Sequence, residues 1–527
     1  MSKRTTILLL VGILSIATFL RLYHITSAPP GLYPDEAMDG TNAQEALRTG
    51  DFKVYYPENN GREGLFMNIQ AVFLAATNIH EPWILRLPSA LFGILTVLGM
   101  YFLGRELFSR RIGLLAAFFT ATSFWHINFS RISFRAIMAP FFLVWAVYLL
   151  LAALRRGWDE ANSNTFSNSR ELENKGKHTW WWLAVAGGIF FGLGFYSYIA
   201  YRTSPLLLLL FVPFFRKTPN FWKVVWTFLI TTFIVALPIG IYFLQNPADF
   251  LGRTAQVSIF SSPAPLRDLG LNILKTAGMF NVAGDFNWRH NLAGRPELFW
   301  PIGILFIIGL IVAVRTGISK PSATKYESNT NIRNEGTESV RTFVKNSYFV
   351  EQEHFGSLFA LLWLFLAALP VIISNEALPH ALRSILLIPP AFLFAAIGAE
   401  RAYAFLKRYI RVRWLPVMAC VFLSLLVFEA YTTYFILWVP NQNTKDAFAA
   451  DYVDIGHQIN TLPASTPKYV VVPTGGVLVN GIPMPSETVM FITNTYDAAE
   501  QQAKNVHYVL KGQEAGIPSG ARVFNLQ

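Results

Sequence analysis

Repeated apolar stretches, each about as long as a bilayer is thick, constrain this 527-residue chain more than any motif does. A helix needs about 20 apolar residues to cross the hydrocarbon core. Runs of this kind lie at 5–25, 84–104, 112–129, 138–154, 180–198, 203–215, 222–244, 298–314, 356–373, 384–406 and 414–437. The expectation is about eleven spans, some of them short. The run LFMNIQAVFLAATNI at 65–79 is shorter and carries Asn68 and Gln70, so it reads as an interfacial or re-entrant helix. Only 14% of residues are charged, against about 25% in a soluble domain. The fold class is therefore a polytopic α-helical membrane protein.

The N-terminal MSKRTTILLLVGILSIATFL has the basic start and apolar core of a signal peptide. Its apolar character continues through Leu22 and Tyr23 with no small-x-small cleavage site, so a retained anchor is expected. With Lys3 and Arg4 inside, segments assigned to the inner face hold 24 Lys and Arg, the outer loops 14, and the tail beyond Pro440 5. That bias places the N-terminus in the cytoplasm and the C-terminus outside a plasma membrane. The same bias accounts for the net charge of +11; no basic run is interleaved with aromatics, which argues against a nucleic-acid partner. The inner stretches 155–179 and 315–355 are rich in Ser, Asn, Glu and Lys and are expected to be mobile. Cys420, the single cysteine, lies in an apolar run and is expected to be a structural thiol.

From Pro440 the composition changes. Short β-like runs occur in YVVVPTGGVLV, ETVMFIT, HYVL and ARVFNL, with a helix expected near Asp497–Lys504. The division expected is a membrane domain at 1–439, containing a first outer loop region at 26–83, and a small extracytoplasmic α/β domain at 440–527.

Candidate chemistry collects at the outer ends of the spans. GLYPDEAMDG places Asp35 and Glu36 directly after the first span, where burying ionised groups is expensive. The segment after Pro34 has good helix formers, early acids and a terminal Gly50, so a helix is expected that puts Asp35 and Asp39 on one face. Acids in a first turn also simply favour the helix dipole. PENNGREGLF supplies Arg62 and Glu63, FSRISFRAIMAP supplies Arg131 and Arg135, and LPHALRSILLIPP supplies His380 and Arg383. Any of these alone reads equally as a snorkelling or capping residue. Among the 14 basic residues of the outer face only Lys53 and Lys275 are lysines, and arginine suits bidentate phosphate contacts. GDFNWRHNLAGRPELF adds Asp285, Arg289 and His290 as possible cavity residues, and YSYIAYR adds Tyr198 and Arg202; an aromatic belt explains the tyrosines as well. No HExxH, P-loop or Cys/His metal set is present, so no metal or other cofactor is expected, and catalysis falls to carboxylates and arginines.

Pro-Asp-Glu after the first span, GREGLF, and LRLPSALFGILTVLGMYFLGRELFSRRIGLLAA together resemble the GT-C membrane glycosyltransferases of family 39. That family includes the protein O-mannosyltransferases and the lipid A aminoarabinose transferases. FSRISFRAIMAP, GFYSYIAYRTSPLLLL and LPHALRSILLIPP are similar to later segments of its prokaryotic members, so the resemblance covers roughly 5–437. It implies a GT-C fold and an inverting transfer of a sugar from a polyprenyl-phosphate donor to a protein, lipid or glycan acceptor on the outer face. Asp35, with Glu36 beside it, would be catalytic. Arg62, Arg131, Arg135, His380 and Arg383 would bind the donor phosphate, with Asp39, Glu63, Tyr198, Arg202, Asp285, Arg289 and His290 lining the cavity. This chain departs from the aminoarabinose transferases by having Arg62-Glu63-Gly64 where they carry a Lys-Pro pair. The rival readings are a flippase or a polymerase/ligase for lipid-linked glycans. A transporter would carry more polar residues at mid-bilayer.

Overall fold

The structure is a computed structural model that describes residues 1–58, 60–166, 179–250, 258–259, 262–319, 337–375, 378–411, 413–479 and 481–526. Of the polar stretches 155–179 and 315–355, expected to be mobile, residues 167–178 and 320–336 lie outside the described residues.

Among the described residues, eight helices are long and apolar enough to cross a membrane: Lys3–Leu22, Pro82–Leu107, Arg135–Glu160, Phe221–Gln245, Trp300–Ile318, Gln352–Ile372, Ile385–Leu406 and Leu415–Trp438. They coincide with eight of the eleven expected spans. The other three are shorter pieces. The run 112–129 divides at Ser123 into Arg110–Thr122 and Phe124–Phe129, and 180–198 gives the 16-residue helix Thr179–Gly194. The run 203–215 breaks into the short helices Pro205–Leu208 and Phe211–Phe215; Pro205 opens the first, and Pro213, inside the second, has no N–H to give the ladder.

The centre of the bundle is formed by Pro82–Leu107, Arg110–Thr122, Met138–Phe166 and Ile388–Leu406, whose described side chains are mostly buried. Trp300–Ile318 approaches Ile388–Leu406 so closely that a Cβ on Gly309 would lie 1.7 Å from the Phe394 carbonyl oxygen, and one on Gly398 1.9 Å from that of Leu305. In lipid, helices associate through such backbone contact at small residues. Phe221–Gln245 instead exposes Trp222, Trp226, Ile230, Phe233, Ile234 and Leu244, the outward apolar face that a lipid solvent requires. Cys420 is exposed among Val417, Met418 and Val421 on the outer side of Leu415–Tyr431. It is not a packed core thiol, because that helix buries only Leu415, Leu426 and Ala430.

The connection after the first span forms the helix Pro34–Thr49, a two-residue antiparallel ribbon pairing Tyr55–Tyr56 with Arg62–Glu63, and the helix Leu65–Thr77. Thirteen residues span about 20 Å, too short to cross, and Gln70 on this helix is buried against the Leu85 carbonyl and the Ser133 hydroxyl.

Beyond Pro440, helices Gln442–Ala447 and Ala450–Thr461 precede a three-stranded parallel sheet ordered Val506–Leu510, Lys468–Val472, Arg522–Asn525. The expected helix is present as Ala498–Lys504, capped by the Asp497 side chain. ETVMFIT, expected as a strand, is the helix Glu487–Thr493. All seven residues are buried, and a short apolar run without alternation fits a buried helix as well as a strand.

Candidate active site

Glu36 and Arg86 fix the start of the Pro34–Thr49 helix. Pro34 is pre-set for the first turn, and Glu36 accepts a hydrogen bond from the Tyr33 backbone N–H at 3.2 Å. Arg86, from the second span, donates to both Glu36 oxygens at 3.0 Å and to the carbonyls of Pro29 and Gly31 at 2.7 and 2.8 Å. The Ser133 N–H donates to Glu36 at 2.6 Å. Glu36, expected as a catalytic neighbour of Asp35, is thus fully buried with both oxygens occupied. These bonds pin the start of the helix, and Arg86 fills the approach to the Glu36 carboxylate.

Asp35 has a different environment. Its side chain is 34% exposed, whereas those of Glu36, Asp39, Glu63 and Asp285 are 0%, 1%, 4% and 4% exposed. Arg62 reaches from the ribbon to Asp35 Oδ2 at 3.0 Å and to Asp39 Oδ1 at 2.9 Å. The four-residue spacing therefore does place both acids on one face, where they share a guanidinium. Burial pushes the Asp39 carboxyl up to about 6, with Arg62 opposing it. Burial alone would lower the Arg62 pKa, but Asp35 and Asp39 outweigh it and hold the guanidinium charged.

Glu63, the next residue on the ribbon, accepts from Arg135 Nε at 2.9 Å and lies 3.8 Å from Arg202. Burial opposes ionisation of Glu63, but Arg135 and Arg202 keep its carboxyl below the usual range. Arg135 stands 5.9 Å over the Tyr198 ring, while Arg202 stacks on Phe250 at 4.2 Å. Arg131 does not join this group. It is fully buried, donates to the carbonyls of Leu20, Tyr23 and Ala28, and lies over the rings of Tyr434 and Phe435. The expected phosphate contact is replaced by a clamp on the end of the first span.

A second cluster joins two later loops. Asp285 accepts from His290 Nδ1 and from the Ala381 N–H, each at 2.8 Å, and lies 3.8 Å from His380 Nδ1. The imidazoles are 4.9 Å apart. Burial lowers the pKa of His290 and drives that of His380 to about 3, so both rings are neutral at ordinary pH. Arg383 lies one turn beyond His380, its N–H 3.4 Å from the ring nitrogen. Arg289 stacks 3.9 Å over the ring of Tyr33, two residues before Asp35. Tyr33 thereby connects the two clusters. Sequence reasoning did not single it out, although an aromatic beside Pro-Asp was a visible signal.

A bundle of membrane-spanning helices carrying a small C-terminal sheet is the architecture of the GT-C class, and this chain shares that fold with the solved structures below. A family model described as dolichyl-phosphate-mannose-protein mannosyltransferase matches residues 66–160. The structure of ArnT from Cupriavidus metallidurans bound to undecaprenyl phosphate is similar with a TM-score of 0.52 at 12% identity, over 96% of this chain and 90% of that one. The archaeal oligosaccharyltransferase AglB from Archaeoglobus fulgidus, in complex with an inhibitory peptide and a dolichol-phosphate, gives a TM-score of 0.52 at 13% identity over 93% of this chain. This chain spans 64% of the length of that oligosaccharyltransferase. No curated protein sequence matches it.

Proposed function

We propose that the protein is an inverting glycosyltransferase that moves a sugar from a polyprenyl-phosphate donor to an acceptor on the extracytoplasmic face, with Asp35 as general base. The observation that carries this reading is the contrast in exposure. Of the five acids compared above, only Asp35 combines substantial access with a held geometry. A lipid-linked donor presents its sugar–phosphate bond at headgroup level, which is where a residue directly after the first span stands.

In this reading Asp35 removes the acceptor proton as the acceptor atom attacks the anomeric carbon. The sugar–phosphate C–O bond breaks, and its electrons leave with the lipid phosphate. That phosphate is already a stable anion, so no strong general acid is required. Arg62 is a positioning residue that orients Asp35 and is itself anchored by its second contact, to Asp39. Arg289 and Arg383, carried on the loops of Asp285 and His380, and Arg135 beside Tyr198 are the cations proposed to meet the growing phosphate charge. The N-terminus is assigned to the cytoplasm and the C-terminal sheet to the outer face with the site. The test is transfer by Asp35→Asn from a polyprenyl-phosphate sugar: a loss of at least about a hundredfold is expected, and near-normal transfer would remove Asp35 from the mechanism.

A further inference from the structure

The helix Pro82–Leu107 carries Arg86, the partner of Glu36, near its start and runs for 26 residues. At 1.5 Å per residue that is about 39 Å, so its last turn stands at the headgroup layer opposite the Asp35 site. There a cavity of about 540 Å³ is lined by Arg105, Arg110, Arg155 and Arg156, with Ser109 and Gln352. Small residues draw its walls together. A Cβ on Gly113 would lie 2.5 Å from the Tyr101 carbonyl oxygen, and one on Gly356 2.7 Å from that of Leu107. Gln352 also donates to the Glu106 carbonyl. We propose that this cavity binds the phosphate headgroup of an anionic phospholipid in the leaflet opposite the Asp35 site.

The lining carries four positive charges and no negative one. The preference for basic residues on one membrane face asks only for charge, and Lys3, Lys223 and Lys407 supply that at the same end of the bundle. Four arginines around one cavity ask for more. A guanidinium adds the planar pair of donors that matches two phosphate oxygens. Two of the four are held in place. Arg105 lies over the rings of Tyr101 and Phe102, at 5.8 and 5.2 Å. Arg155 is fixed by Glu106 Oε1 at 3.1 Å, and that acid is itself buried. Arg110 and Arg111 open a 13-residue helix, the end at which the peptide dipole disfavours a cation and attracts an anion. Basic pockets between membrane helices are where anionic headgroups dock. The volume lies within the range of about 300–1,000 Å³ for small-ligand sites.

Full-length protein, purified in detergent and stripped of lipid, is titrated with short-chain phosphatidylglycerol. Native mass spectrometry and the melting temperature read the binding. Phosphatidylcholine of the same chain length keeps the phosphate but adds a compensating cation, and inorganic phosphate keeps the charge without the lipid. The parent is expected to bind phosphatidylglycerol at least about tenfold more tightly than phosphatidylcholine. The double variant Arg110→Gln/Arg156→Gln changes two exposed side chains, so it is expected to melt like the parent without lipid and to lose most of that preference. Equal binding of the two lipids by the parent would overturn the proposal. An unchanged preference in the folded double variant would place the lipid elsewhere and overturn it too. Inorganic phosphate that raises the melting temperature as far as phosphatidylglycerol does, at the same concentration, would assign the cavity to a soluble anion and refute the lipid.

Discussion

Adjacent acids with opposite environments permit a sharp separation of stability from chemistry. Glu36→Ala leaves the Arg86 guanidinium, which is 1% exposed, buried without its counter-charge. Removing one partner of a buried ion pair costs about 3–5 kcal/mol. The Ser133 N–H, 2.6 Å from Glu36, also loses its acceptor, at about 1–3 kcal/mol. These terms share one site and do not simply add, so a loss of about 4 kcal/mol is expected, lowering the melting temperature by on the order of 5 °C or more. Asp35→Asn keeps the shape of a side chain that is one-third exposed and leaves Arg62 its buried partner Asp39, so it should cost no more than about 1 kcal/mol and move the melting temperature by about 1–2 °C. Melting in detergent and initial transfer rates, measured on both variants, give the comparison. Folded Glu36→Ala molecules should retain more activity per molecule than Asp35→Asn. The reasoning fails if Glu36→Ala melts like the parent yet transfers nothing, because Glu36 would then be chemical and not a pin.

Arg289→Ala and Arg383→Ala should each raise the apparent donor requirement about 10–100-fold, the worth of one charge-assisted contact, and leave the acceptor requirement unchanged; titrating each substrate separately reads this. Arg131→Lys, which loses the fork that grips three carbonyls, should lower the melting temperature without altering the donor requirement. Burial pushes the Glu487 carboxyl up to about 7 from an ordinary 4.5. Its folded pKa is therefore the higher one, and its contribution to stability is full below about 4.5 and is lost as pH rises through about 7. Glu487→Gln should flatten that dependence, and melting curves from pH 5 to 8.5 are the check. Reporters fused at the C-terminus and within 320–336 should report outside and inside respectively; a cytoplasmic C-terminal signal would require the loops to be reassigned.

Long apolar runs disclosed the eight long apolar helices of the described residues because length in a bilayer is a direct physical requirement. The breaks at Ser123 and within 203–215 were not legible, since a hydropathy count is blind to interrupted hydrogen-bond ladders. The i, i+4 spacing of Asp35 and Asp39 was legible, and both do meet Arg62. The inward turn of Glu36 was not read, although consecutive helical residues point about 100° apart and two adjacent acids cannot share one surroundings. Arg131 and Arg135 also looked equivalent at four residues apart, but a 3₁₀ turn at Arg135–Ile137 lies between the end of one helix and the start of the next. Asp285, His290 and His380 were each singled out, but their meeting was not legible because segments about ninety residues apart are joined only by tertiary folding.

Helix Pro34–Thr49 lies between two parts of the chain made at very different times. At Gly40 a single added carbon would meet Leu85 at 2.6 Å on the membrane side and Phe491 at 2.7 Å on the C-terminal side. Thr41 donates to Glu487, 446 residues later, and Thr488 donates to the Leu32 carbonyl. The helix that carries Asp35 is therefore clasped from both sides, by the second span and by a short helix 446 residues further along the chain. Damage to Glu487–Thr493 would loosen one wall of the Asp35 helix while Glu36 and Arg86 still pin its start, so the placement of the acid depends on a segment that no sequence neighbour announces.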